Sequence, residues 1–369
     1  MKLENIESYE IEITSKCNAR CPGCSRTLDG ETHPNLKMLE ISLDDFKNIF
    51  PRIAIEGKRF GFSGVYGDPG MAKDIIPICE YLLENNCTRI YLDTNGGMQT
   101  KEFWSTLSAL SKKSVDTSPH LSRLVVSFNV DGFEKTNHLY RVNVNWDKLV
   151  ENMTAYSQSG GIGHWQYIVF DHNEDDLDLA RNFAKELGFN FKVRRSSRNK
   201  RQIPWEGIQK KKENGKIKKD TVVVSTTKDN LLHTKADEKY HLSKEINTIS
   251  NTKFNDINCR LIHQRRVYIS HDMKLWPCCW FGDIYHDNIR TSIFKSDRDK
   301  FFKMEKQYGE DWNDVSSHSI QDILKHEYYE KTLQESWDTE HDLYVKRCVI
   351  ECGGNGSRSK IEYTEGEPK

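Results

Sequence analysis

From residue 9 to about residue 200 the chain alternates short apolar runs with longer amphipathic stretches, and few folds accommodate that alternation. Short apolar runs suit parallel strands buried on both faces; the amphipathic stretches suit the helices that cover them. The candidate strands are Tyr9–Thr14, Arg59–Ser63, Arg89–Asp93, Leu124–Asn129, Trp165–Phe170 and Asn190–Arg194. Helical segments lie between them at Leu43–Phe50, Ala72–Glu84, Lys101–Lys112, Trp146–Ser157 and Glu174–Leu187. Gly188 follows the last of these, where a left-handed C-terminal cap is expected. Six such units are too few for a closed eight-stranded barrel, so the expected fold is α/β, a partial (βα)6 barrel.

Ten cysteines are spread unevenly through the 369 residues. Cys17, Cys21 and Cys24 lie in Ile13-Thr14-Ser15-Lys16-Cys17-Asn18-Ala19-Arg20-Cys21-Pro22-Gly23-Cys24, directly after the first strand. A loop at the carboxyl end of a barrel strand is where such folds build their sites. Three thiolates at this spacing can hold three corners of a cubane iron–sulfur cluster and leave the fourth iron open to a ligand. The rival reading is a zinc site completed by a distant residue such as His33. Cys259, Cys278, Cys279, Cys348 and Cys352 form a second group in the last third. Cys79, within Ile75-Ile76-Pro77-Ile78-Cys79, reads as a small buried hydrophobe, and Cys87 stands apart.

On the front cysteines the sequence resembles the radical S-adenosylmethionine (SAM) superfamily, and more closely its members with a C-terminal twitch or SPASM-type cluster domain. Gly23 departs from the pattern, since an aromatic residue often precedes the third cysteine. Further along, Gly64-Val65-Tyr66-Gly67-Asp68-Pro69-Gly70 looks like the family's Gly-Gly-Glu-Pro region, with Asp68 replacing the Glu. Thr94-Asn95-Gly96 ends the third strand, and Asn129-Val130-Asp131-Gly132 resembles a Ser-x-Asp-Gly element. Tyr140-Arg141 follows, with Arg141 able to pair with a carboxylate. The resemblance implies a [4Fe–4S] cluster on Cys17, Cys21 and Cys24. It implies SAM held by Tyr66, Gly67, Asp68, Pro69, Thr94, Asn95, Asn129, Asp131 and Arg141, with backbone carbonyls of the second-strand turn accepting from its ammonium. The implied chemistry is reductive cleavage of SAM to a 5′-deoxyadenosyl radical that abstracts a hydrogen atom from the substrate. An electron donor such as flavodoxin or ferredoxin is implied as partner.

The rear cysteines resemble a twitch domain, in which a hairpin and a short helix present ligands to an auxiliary [4Fe–4S] cluster. The expected ligands are Cys259, Cys278, Cys348 and Cys352. Cys279 competes with Cys278, since neighbours on a strand face opposite ways. Four thiolates also suit structural zinc, which the spacing does not exclude. Arg266–Ser270 and Lys274–Pro277, around His271-Asp272-Met273, read as the hairpin of a small α+β domain.

Charge refines the organisation. The totals, 54 Lys+Arg against 55 Asp+Glu, exclude a wholesale nucleic-acid coat. Between Lys192 and Lys219, however, twelve Lys/Arg face only Glu206 and Glu213, which reads as a solvated basic linker. The expected domains are therefore a barrel over 1–200, a linker over 201–258 and a cluster domain over 259–369. No apolar run approaches the roughly 18 residues of a membrane span, and Met1–Glu12 lacks a signal-peptide core, so a cytoplasmic protein is expected. The chain starts only a few residues before the first strand, which favours a small polar substrate or a peptide brought by a partner. Two alternatives keep their own observables: a nucleic-acid-modifying enzyme would bind RNA or DNA with steep salt dependence, and a zinc-stabilised binding protein would not cleave SAM.

Overall fold

The computed structural model describes residues 1–22, 24–28, 30–113, 122–170, 172–194, 205–213, 216–224, 257–285, 295–353 and 362–364. Its centre is a nine-stranded sheet. In chain order the strands are β1 (Ser8–Ile11), β2 (Thr27–Leu28), β3 (Glu31–Thr32), β4 (Arg59–Phe62), β5 (Arg89–Thr94), β6 (Leu124–Asn129), β7 (Gly163–Ile168), β8 (Asn190–Arg194), β9 (Trp205–Glu213), β10 (Lys216–Val224), β11 (Arg266–Ile269), β12 (Leu275–Trp276) and β13 (Glu362–Thr364). The sheet order is β12-β11-β1-β4-β5-β6-β7-β8-β13. From β11 through β8 every pairing is parallel, and antiparallel β12 and β13 close the two edges. This is the partial barrel that the alternation predicts.

Strand periodicity assigns the two faces. Tyr9 and Phe60 point outward, where Tyr9 meets Phe50 at 4.9 Å between ring centroids and Phe46 covers Phe60 at 6.4 Å. Further round, Phe128 packs on Trp104 and stacks on Phe189 at 5.4 Å. The intervening positions, Glu10, Glu12, Asp93, Ser127 and Gln166, face the concave side; there Gln166 Nε2 reaches over β6 to Asp93 Oδ1 at 3.1 Å.

Local signals place the covering helices. Ser42 caps Leu43–Ile49 in a reciprocal pair with Asp45, and the Asn145 side chain accepts from Lys148 N at the start of Trp146–Gln158. Gly188 takes the expected left-handed conformation, φ +68°. Pro69–Met71 forms a 3-10 turn, so the following helix starts at Ile75.

Three features differ from the sequence reading. The fifth strand spans Gly163–Ile168, two residues earlier than expected. Within the stretch read as linker, β9 and β10 form an antiparallel hairpin with Lys216 opposite Glu213; positions 201–204, 214–215 and 225–256 of that stretch lie outside the described residues. The rear hairpin does not form a sheet of its own: β11 pairs with β1, Tyr9 opposite Val267, and extends the barrel sheet.

Candidate active site

The cysteine loop leaves β1 and is clamped from three sides. Arg26, 4% exposed, donates through Nη1 to the carbonyls of Ser15 and Tyr66 and through Nη2 to Thr32 Oγ1. Ser15 Oγ donates to Lys37 O at 2.7 Å, and Asn18 Nδ2 to Gly97 O at 3.1 Å. The turn after β4 presses in at Gly67, where an added Cβ would stand 1.7 Å from Thr14 O. Gly64 is likewise closed off by Gly67 O, 2.0 Å from where its Cβ would sit. These glycines are needed for backbone packing against backbone, not only for approach to a ligand.

Each front sulfur has a polar neighbour. Ala19 N lies 3.4 Å and Asn95 Nδ2 3.8 Å from Cys17 Sγ, Arg141 Nη1 lies 3.7 Å from Cys21 Sγ, and Cys24 Sγ lies 3.8 Å from Val65 O. Burial raises the pKa of Cys17, with Asp68 and the other two thiols adding to it; burial also raises that of Cys21, against the opposing pull of Arg141.

Asp68 is the hub beside them. Its Oδ1 accepts from Thr94 Oγ1 at 2.8 Å and Gly70 N at 3.0 Å, and its Oδ2 from Asn95 N at 2.7 Å and Asn95 Nδ2 at 2.8 Å. Burial raises its pKa, and those hydrogen bonds oppose the rise. Pro69 opens the turn beyond it. Two sequence assignments take a different form here. Asp131, fully buried, accepts from Ile168 N at 2.7 Å and pairs with Arg141 Nη2 at 2.7 Å, so its carboxylate already holds the arginine. The Tyr66 ring lies edge-on to His271 at 5.6 Å, while its carbonyl is taken by Arg26. Asn129 ends β6 opposite Gln166 on the concave face.

Sequence reasoning missed Glu12. It is 1% exposed, and its Oε1 accepts from Tyr66 N at 2.5 Å and Gly67 N at 3.0 Å. Its Oε2 accepts from Tyr268 Oη at 2.7 Å and faces His271 Nδ1 at 3.2 Å. The available signal was a charge at alternate positions of a strand, Glu10 and Glu12, in a barrel whose other face is apolar.

The rear cysteines converge. Cys259 caps the helix Arg260–Gln264, Cys278 follows β12, and Cys348 and Cys352 stand one turn apart on the helix Lys346–Cys352. Burial raises the pKa of Cys278 and Cys348, and for each the neighbouring thiols include Cys259 and Cys352. Cys279 is the first residue of the helix Cys279–Tyr285, so strand alternation does not govern it; Arg260 Nη1 lies 3.6 Å from its sulfur. Cys79 and Cys87 are buried apart from both groups, 0% and 1% exposed. Among the described residues no three His, Cys, Asp or Glu side chains close tightly on a single ion. A four-iron cluster spreads its thiolates further apart than one ion does, and both donor sets are thiols, the ligands such clusters take.

The model of the Radical SAM superfamily matches residues 11–184. The fold is similar to that of Streptococcus suis SuiB. The SuiB structure bound to S-adenosylmethionine matches with a TM-score of 0.54 at 13% identity, covering 94% of this chain and 72% of that one. The structure bound to the precursor peptide SuiA matches with a TM-score of 0.53 at 13% identity, covering 94% and 71%. A search of curated protein sequences finds no match. No helix among the described residues is long and apolar enough to cross a membrane.

Proposed function

We propose that the chain is a radical SAM enzyme acting on a polar substrate, a peptide or a small polar molecule, with an auxiliary iron–sulfur cluster at its rear cysteines. The observation that carries this reading is the cysteine loop itself. Three thiols stand after β1, inside the segment that the Radical SAM superfamily model matches, with Asn95 beside Cys17 and Arg141 beside Cys21.

When bound, a cluster on Cys17, Cys21 and Cys24 with SAM supplies the 5′-deoxyadenosyl radical that abstracts a hydrogen atom. The chain's own residues position and shield. Asn95 and Arg141 direct N–H groups at the sulfurs, which favours the reduced, more anionic state. Asp68 holds the end of β5 against the loop through Thr94 and Asn95. Arg141, anchored on Asp131, keeps Nη1 turned to Cys21 and would supply a cation able to pair with a SAM carboxylate. The polar concave face, with Asp93, Ser127 and Gln166, suits a substrate that hydrogen-bonds, and the likeness to SuiB, solved with a precursor peptide, supports a peptide.

The test is anaerobic reconstitution with iron and sulfide, addition of SAM and a strong reductant, and assay of 5′-deoxyadenosine. Cleavage that is lost in Cys21→Ala supports the enzyme; no cleavage with wild-type protein holding about four irons at the front site would overturn it.

A further inference from the structure

Arg260 stands where the two ends of the chain meet. It follows Cys259 directly, and its Nη1 lies 3.5 Å from Glu10 Oε2 on β1 and 3.6 Å from Cys279 Sγ. On the barrel side Glu10 also accepts from Ser63 Oγ at 3.1 Å, has Arg266 Nη1 at 3.8 Å, and is within electrostatic reach of Asp93. On the rear side the guanidinium is within electrostatic reach of Cys278 and Cys352 as well as Cys279. As an arginine guanidinium it carries its charge at any ordinary pH. The next arginine, Arg265, points elsewhere and pairs with Glu7 at 3.3 Å.

We propose that Arg260 is a positioning residue for the rear thiolate centre, raising its reduction potential, and that Glu10 aims the guanidinium and partly offsets its charge. The inference rests on the reading of the rear site as an iron–sulfur cluster. The physical reason is charge. Reduction adds one electron to an assembly of thiolates and sulfides that is already anionic, and a nearby cation stabilises the reduced form more than the oxidised one. A hydrogen bond to a ligand or neighbouring sulfur acts in the same direction. The carboxylate of Glu10 opposes both effects, so the two residues move the potential in opposite directions.

The experiment is a redox titration of the full chain followed by EPR, after metal analysis of the same samples. Arg260→Gln is expected to shift the reduced-to-oxidised ratio of the rear centre about tenfold towards the oxidised form at fixed potential, 59 mV for one electron. Glu10→Gln is expected to shift it the other way, and Arg260→Lys to stay near wild type. The front centre is expected to stay put in all three variants. An unmoved rear potential in Arg260→Gln, or equal shifts of both centres, would overturn the proposal. If Arg260→Gln fails to load iron, Glu10→Gln decides: a potential at or below wild type overturns it. Zinc in place of iron at the rear site would overturn the cluster reading itself, and metal analysis shows this before any titration.

Discussion

Glu12 Oε2 and His271 Nδ1 lie 3.2 Å apart, both side chains fully buried, although 259 positions separate them in sequence. The other oxygen of the same carboxylate holds Tyr66 N and Gly67 N. One side chain just after β1 therefore ties the rear hairpin to the turn that backs the cysteine loop. Glu12→Ala strips Tyr66 N, Gly67 N and Tyr268 Oη of their acceptor and His271 of its neighbour at once, and the expected loss is about 3–5 kcal/mol of folding stability. Glu12→Gln, which keeps one acceptor oxygen, is expected to lose less. Chemical denaturation of the full chain measures both, and a loss below about 1 kcal/mol in the alanine variant would show that the donors find other partners.

Arg141 contacts a buried carboxylate and a thiol from one guanidinium, Asp131 through Nη2 and Cys21 through Nη1. Arg141→Met leaves Asp131 buried without its cation, at an expected cost of about 3–5 kcal/mol. Arg141→Lys keeps the charge but has a single nitrogen, so it is expected to fold and to bind SAM more weakly. Isothermal titration with SAM would show this, and wild-type affinity in the lysine variant would remove Arg141 from the SAM site.

Gly67 has no room for a methyl group, with Thr14 O 1.7 Å from the position its Cβ would take, whereas a Cβ on Gly61 would meet nothing nearer than Tyr9 O at 3.8 Å. Gly67→Ala is expected to displace the cysteine loop and abolish iron loading at the front site. Gly61→Ala, as the control, is expected to load normally. Iron per chain is the readout, and equal loading of the two variants contradicts the close approach.

Replacing any one of Cys259, Cys278, Cys348 and Cys352 with serine is expected to lower reconstituted iron from about eight to about four per chain. Cys279→Ser is expected to keep all of it if Cys278 is the ligand of the adjacent pair. Loss of iron in Cys279→Ser together with retention in Cys278→Ser would exchange their roles.

His164 sits on the concave face, where burial, then Lys192, Arg194 and Arg89, push its pKa down to about 4. Unfolded, it titrates near 6.5. The folded form disfavours its proton, so its contribution to stability is complete above about pH 6.5 and is lost as pH falls towards 4. His164→Gln is therefore expected to narrow the difference between unfolding midpoints at pH 7 and pH 5. A difference equal to that of wild type would contradict the shift.

The barrel was legible because apolar residues recur along the outward faces of its strands and the strands alternate with amphipathic helical stretches. Leu124–Asn129 and Asn190–Arg194 have the ends that the sequence suggests. The pairing of β11 with β1 was not legible, since nothing local in Arg266–Ile269 records a partner far back in the chain. The hairpin of β9 and β10 was hidden for another reason: its lysine-rich sequence lacks the apolar alternation by which a strand is recognised. Around the candidate site, the cysteines stood out by their spacing, and Asp68 and Asn95 only through the resemblance of their motifs. Glu12 and Arg260 did not, because a single charged residue in sequence looks the same whether it faces water or a buried partner.

The parallel seam between β1 and β11 also imposes an order in time. A ribosome adding about 5–20 residues per second needs roughly 10–50 s to travel from the end of β1 to the end of β11. Throughout that interval β1 is an edge strand, with Glu10 lacking Arg260 and Glu12 lacking Tyr268 and His271. The front thiols thus meet Asn95, Arg141 and Val65 early, while the turn behind them gains its last support, through Glu12, only when the final third arrives.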